Sequence, residues 1–501
     1  MLFNSYQFLL FFPVVTLIYY VVPKQIKQIW LLICSYFFYM CWNAKYALLM
    51  LFSTVITYIC SLVIETIKNT NWPDNKKTKY KRLTVGLSFV LNLSVLGYYK
   101  YTNFLIGLLS NALGLINITL HVPKFDIILP VGISFYTFQA LSYTMDVYRD
   151  EIYAEKNFLR YALFVSFFPQ LVAGPIERSK NLLRQLSTSK AFSFDKARKG
   201  FLLMLWGFFL KVVLADRIAI FVDAVYGNFW DYDGCMLMIA TILFAFQIYC
   251  DFYGYSVIAI GAAKILGIDL MENFNAPYLA QSVAEFWRNW HISLTSWFKD
   301  YLYIPLGGSR KGKTRKYLNK MIVFLVSGLW HGAGLSFVAW GGLNGLYQIV
   351  GEVVHPVRSK MMAKMRIQEE NVLYKAACIL TTFILVDFTW IFFRADSLIN
   401  AIMIIEKILS VDLAGGCALF GNPILTTAGL DMANLNVMVI CILVLLIADI
   451  YKHNKVYLSE KIAQLPWWIQ SIIIVAAICV ILIFGIWGPE YNQANFIYFQ
   501  F

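Results

Sequence analysis

Charge is scarce in this chain. Only 14% of its 501 residues are Asp, Glu, Lys or Arg, 59% are hydrophobic, and mean hydropathy is +0.63. Soluble domains carry roughly 25% charged residues. No polar stretch on the order of 100 residues interrupts the apolar windows, which excludes a separate soluble domain. The chain therefore reads as an all-α polytopic membrane protein, a single membrane domain over residues 1–501.

Other absences narrow the reading further. The nine cysteines include no CxxC pair and mostly sit in apolar runs such as ICSYF and AAICV, so neither a zinc site nor a disulfide framework is indicated. No internal repeat is found, whereas many transporters are built from repeated halves. The segment Tyr6 to Val22 has no basic start and no small-residue cleavage site, and reads as a retained first helix rather than a signal peptide.

What charge there is falls in short clusters between apolar runs. The net +13 is thus a positive-inside pattern and not the footprint of a nucleic-acid binder. The densest clusters, IETIKNTNWPDNKKTKYKR ending at Arg82 and GGSRKGKTRKYLNK at 307–320, are expected to face the cytoplasm. Lys24 and Lys27 follow an N-terminal run without Lys or Arg, and no Lys or Arg follows Lys461. Both termini are therefore expected outside, with the core in 1–466 and a terminal helix and tail in 467–501. The crossings should be even in number, about 10–12.

Trp30 to Trp42 and Tyr46 to Thr66 read as a tight hairpin. YALFVSFFPQLVAGPIER reads as an interrupted segment, tolerated only where it packs on protein or lines a water-filled cavity. VAEFWRNWHISLTSWFKDYLYIPL mixes aromatic and charged residues and reads as a helix near the inner interface, dipping inward. HPVRSKMMAKMR reads as a basic cytoplasmic connection.

The run MIVFLVSGLWHGAGLSFVAWGGLNGLYQIV holds His331 between glycines. A helix starting near Lys320 places it about 16 Å deep in a core of about 30 Å. An ionisable residue there faces a cavity or chemistry more often than lipid, and a neutral imidazole can act as a general base. The competing reading is a hydrogen-bonded core histidine that helps helices pack. The flanking glycines let backbone or a ligand approach closely, as a tunnel would need. His291, in FWRNWHISL beside Arg288 and Trp290, is a second histidine in an amphipathic setting. His121, His355 and His453 sit at loop-like positions.

FPQLVAGPIERSKNLLRQL, QIYCDFYGYSVIAIGAAKILG, NFNAPYLAQSVAEFWRNWHISLTSWFKDYLYIPLGG, GLWHGAGLSFVAWGGLNG and FTWIFFRAD together resemble the membrane-bound O-acyltransferase (MBOAT) family. The likeness is to its bacterial alginate O-acetyltransferase branch, with the teichoic acid D-alanylation proteins related. It implies a ring of helices around a central tunnel, with His331 catalytic and His291 the second signature histidine. Arg288, Trp330 and Asp251 are candidate tunnel-lining residues, and no metal and no bound cofactor are implied. The donor would be a cytoplasmic thioester, acetyl-CoA or an acyl carrier, and an extracytoplasmic SGNH-type transferase would be the partner in the plasma membrane's outer space. Tyr253 and Val257 depart from the family pattern, which has a small residue and an acid there.

The chain ends NQANFIYFQF, four aromatics in six residues from Phe496. This is either an interfacial belt or a segment docked in an apolar mouth. By resemblance to the branch's aromatic C-terminal motif, Tyr498 could carry the acyl group on its phenol. A rival reading, a polysaccharide or lipid transporter, needs several charges at membrane depth. Arg394 and Lys211 are the candidates, as cavity or snorkelling residues.

Overall fold

In the computed structural model, residues 1–118, 125–172, 174–366, 368–411, 429, 431–487 and 496–497 are described. Their regular structure is all helical, with no strand among the described residues. They form two compact units, Met1–Phe201 with Ala259–Met271, and Leu202–Ile258 with the described part of Glu272–Phe501.

In the first unit α1 (Tyr6–Val21), α2 (Lys27–Met40) and α3 (Ala47–Lys68) follow one another, α2 and α3 covering the two segments read as a hairpin. The buried face of α3 carries Ser53, Thr54, Thr57 and Ser61 among apolar residues at three- and four-residue spacing. Small hydroxyl side chains let neighbouring helices approach and bond across. Ser53 donates to Asn92 at 2.5 Å, and the Tyr161 hydroxyl donates to Thr57 at 2.6 Å. The cluster before Arg82 straddles two helices: α3 ends at Lys68, and after a break at 69–73 α4 runs from Asp74 to Gly114, 41 residues. Once Asp74 opens the helix after Pro73, nothing in KKTKYKRL breaks it. After α5 (Ile133–Tyr148) the interrupted segment is interrupted as expected, α6 (Phe158–Ser166) breaking at Phe167 before the single turn α7 (Phe168–Leu171). Then come α8 (Ser179–Ser187) and the first part of α9 (Phe194–Phe208).

The second unit is built around the greater part of α11 (Gly234–Ile265), which has no amphipathic stripe because protein surrounds it: 78% of its most apolar window is buried. Before it, α9 widens into π-helix at Phe209–Ala215 and continues as α10 (Asp216–Gly227). Gly207 and Gly254 let these helices meet closely; a Cβ on Gly207 would sit 2.6 Å from the Gly254 carbonyl oxygen. Next come α12 (Val283–Asn289), α13 (Ile292–Phe298), α14 (Lys313–His331), α15 (Leu335–Lys364), α16 (Val372–Arg394) and α17 (Leu398–Leu409). The last helices are α18 (Met432–His453), α19 (Leu458–Ala463) and α20 (Trp467–Phe484).

Among the described residues, five helices are long and apolar enough to cross a membrane: Ala44–Lys68, Gly234–Ile265, Val372–Arg394, Met432–His453 and Trp467–Phe484. This is a polytopic membrane protein. Other apolar runs that entered the expectation of about 10–12 crossings are shorter, like the 16-residue α1, or begin with a charged turn, like α14. HPVRSKMMAKMR is not a connection: α15 runs through Pro356 to Lys364 and carries His355 exposed on a helix. Met, Ala and Lys are good helix formers, and proline removes only one backbone donor. His453 ends α18, exposed, and His121 lies outside the described residues. Cys235 is disulfide-bonded, although the cysteine spacing indicates no disulfide framework.

Candidate active site

The segment around His291 is two short helices with a break between them. Ser282 caps α12 by accepting the Glu285 N–H at 3.2 Å, and the Glu285 carboxylate accepts the Gln281 N–H at 2.8 Å. These reciprocal bonds start the helix firmly. It ends at Trp290, and His291 takes a left-handed conformation, φ +42° and ψ +54°, before α13 begins at Ile292. That conformation costs an L-residue about 1–2 kcal/mol.

The preceding strap compensates. The Ile292 N–H donates to the Asn273 carbonyl at 2.9 Å, Ser293 N–H to Asn273 Oδ1 at 3.4 Å, and Asn275 N–H to the Asn289 carbonyl at 3.0 Å. Asn273 is itself held, its amide donating to Ser256 Oγ on α11 at 3.1 Å. The break turns His291 inward, where it is 1% exposed, instead of leaving it on an interfacial helix.

His331 is the last residue of α14, and three residues connect it to α15. The glycines serve this hairpin. A Cβ on Gly328 would lie 2.2 Å from the Phe337 carbonyl oxygen, and one on Gly341 would lie 2.3 Å from that of Phe324. The close approach inferred from SGLWHGAG is thus made by the backbone of α15, as in small-residue packing of membrane helices.

The two imidazoles meet. Their ring centroids are 6.5 Å apart, and His331 is 5% exposed. Trp330 turns its ring edge-on to His331 at 4.9 Å and lies 6.1 Å from His291. Trp340 and Phe393 pack against His331 at 5.1 and 5.4 Å, and Phe252 of α11 packs against His291 at 4.6 Å. Two basic nitrogen heterocycles facing each other between aromatic rings can pass a proton to and from a bound hydroxyl, while the rings exclude bulk water.

A polar knot holds these elements in register. Asn344 of α15, fully buried, accepts from Trp287 Nε1 of α12 at 3.1 Å. It donates to the Trp340 carbonyl at 2.9 Å and to Thr389 Oγ1 of α16 at 3.2 Å. Sequence reasoning passed over Asn344, although an amide inside GGLNGLYQIV is itself the signal of a polar group needing partners at depth.

Of the residues singled out from sequence, His291, His331 and Trp330 are brought together. Arg288 is exposed in the last turn of α12. Asp251 is buried on α11 next to Phe252, but it faces Lys211, at 2.6 Å. Tyr498 lies outside the described residues. Arg394 pairs with Asp223 at 2.7 Å. Lys211 does not snorkel: it is 1% exposed between Asp216 and Asp251. No group of three or more His, Cys, Asp or Glu that could hold a metal ion occurs among the described residues.

Residues 37–386 match the family model of the membrane-bound O-acyltransferases, a span that includes both histidines. A probable alginate O-acetylase of Pseudomonas syringae is 35% identical over 406 residues, 79% of this chain and 73% of that protein. A peptidoglycan O-acetyltransferase of Helicobacter pylori is 31% identical across 100% of this chain and 98% of its own length. A teichoic acid D-alanyltransferase of Bacillus subtilis is 28% identical over a shorter stretch, 44% of this chain and 58% of that one.

Proposed function

This membrane enzyme belongs to the membrane-bound O-acyltransferase family, and from that premise we propose that it takes an acetyl group from a cytoplasmic thioester toward hydroxyls of a cell-envelope polysaccharide. The observation that carries the proposal is the pair of buried imidazoles, 6.5 Å apart, inside the matched span. Acyl transfer from a thioester needs a base at the acceptor oxygen, and His331 is that base. Its nitrogen takes the hydroxyl proton as the oxygen attacks the carbonyl carbon. The C–S bond then breaks, and the proton returns to the departing thiolate. His291 forms the facing wall, its ring held in place by the strained turn that Asn273 templates.

Acetyl is favoured over D-alanyl because the relatives named as O-acetyl-transferring align over far more of this chain than the D-alanyltransferase does. The first acceptor would be a group reaching in from outside, with the Tyr498 phenol as the relay and an external SGNH-type transferase as the partner that completes delivery. The basic run at 307–320 would favour the anionic phosphates of acetyl-CoA or an acidic acyl carrier on the cytoplasmic side.

The test is His331→Ala in cells at matched membrane abundance, scoring acetate released by mild base from purified envelope polysaccharide. Loss of released acetate is expected. Wild-type release would overturn the assignment, and release of D-alanine in place of acetate would overturn the choice of acyl group.

A further inference from the structure

The second unit holds a buried ion group that the acyl-transfer chemistry leaves unexplained. Lys211 lies in the π-helical turn Phe209–Ala215, which closes where the Asp216 N–H donates to the Lys211 carbonyl. This wider turn puts residues five apart side by side, and Lys211 Nζ sits 2.8 Å from Asp216 Oδ1. On its other side it meets Asp251 Oδ1 of α11 at 2.6 Å. All three side chains are at most 3% exposed.

The two carboxylates bring one formal negative charge more than the ammonium between them. In a low-dielectric interior such a charge is costly unless further donors reach it. For Asp251 the donor comes from the far end of the chain: its second oxygen accepts the Ile497 N–H at 2.7 Å. The length is that of a charge-assisted bond.

Neighbouring contacts fix the same segment. The Phe496 ring packs on Tyr255, one turn beyond Asp251, at 4.8 Å, and Lys211 Nζ lies 5.8 Å from its centroid. Phe496 and Ile497 are each 1% exposed. Just after α20, the Ile486 N–H donates to the Val212 carbonyl at 2.9 Å, inside the same π-helical turn. Chain beyond the last helix is thus received at two points, Val212 in the π-helical turn and Asp251 of α11, the partner of Lys211 in that turn. A belt of aromatics lying loosely at the interface needs neither contact.

We infer that Asp251, paired with Lys211, whose ammonium Asp216 holds from its other side, is the positioning residue for the C-terminal tail: its second oxygen holds the Ile497 amide. The docking stands on these contacts alone; only the chemistry of the docked tail rests on the acyl-relay reading above.

The experiment uses the full chain carrying Ile497→Cys, labelled in detergent with a maleimide and read by mass spectrometry on the C-terminal peptide, so that native thiols do not interfere. Slow labelling is expected in this parent. Adding Asp251→Leu should speed it at least tenfold, and adding Asp251→Asn, which keeps an acceptor oxygen, should restore protection at least in part. If Asp251→Leu does not fold, Lys211→Met/Asp216→Leu/Asp251→Leu replaces the whole ion group by apolar side chains, a change that buried ion groups often tolerate.

Unchanged labelling in a folded variant that lacks Asp251, or an Asn variant no better protected than Leu, would overturn the docking. Acyl transfer measured on the same variants separates the two ideas. A freed tail with undiminished transfer would leave the docking intact and remove the Tyr498 relay.

Discussion

Replacing Gly328 by alanine should impair this enzyme out of proportion to one methyl group. The new Cβ would lie 2.2 Å from the Phe337 carbonyl oxygen, where ordinary contact begins at 3.4 Å. The obstacle is backbone, so no rotamer relieves it. The helices α14 and α15 must part by about 1 Å to restore normal contact. Overpacking of this kind costs about 1–3 kcal/mol.

Gly328 is one turn before His331, so the displacement passes directly to the imidazole. A shift of about 1 Å at a reacting group can lower the rate on the order of 100-fold. Gly342→Ala is the matched control. Its Cβ would meet only Leu325 Cδ2, at an ordinary 3.7 Å, and alanine is the better helix former. The assay is acetyl transfer by membranes of equal enzyme content, with thermal unfolding of the purified protein in detergent. Full activity in Gly328→Ala, or equal damage from Gly342→Ala, would refute the reasoning.

Asn344→Leu should leave the buried Trp287 indole N–H without its acceptor, while Thr389 keeps its bond to the Val386 carbonyl at 2.7 Å. The expected loss is about 1–3 kcal/mol, read as a lower melting temperature; an unchanged melting temperature would show that the knot is dispensable. In the first unit, Lys68 donates to Asp150 at 2.8 Å and holds its carboxyl below the ordinary 3.8. That contribution is therefore present above the ordinary value and lost as pH falls through the lowered one. Because Asp150 is 64% exposed, solvent screening limits it. Asp150→Asn should cost well under about 1 kcal/mol at neutral pH and nothing in strong acid, measured as melting temperature against pH. Loss of polysaccharide acetate in His331→Ala and release of the tail in Asp251→Leu complete the set.

Composition was enough to establish a helical membrane protein, because burying so many apolar residues among so few charges leaves lipid as the only consistent solvent. Residue order was enough to mark His331, since a histidine inside an apolar run is conspicuous wherever the run lies, and His291 through the motif FWRNWHISL that carries the family resemblance. Tertiary structure alone decided the rest. The break at His291 depends on Asn273 and, through it, Ser256 of α11, so no local pattern announces that the segment turns inward there. The glycines beside His331 gave the same local signal whether ligand or helix was to approach, and only the packing of α15 distinguishes the two. The sequence leaves Lys211 open between a cavity and a snorkelling residue because neither partner shows locally: Asp216 comes alongside through an unusual turn, and Asp251 arrives from another helix. The physical reason is common to all three. Hydrophobic periodicity reports how much of a helix is buried, whereas a buried charge, a strained turn or a missing side chain is explained by its partner, and the partner is chosen by the fold.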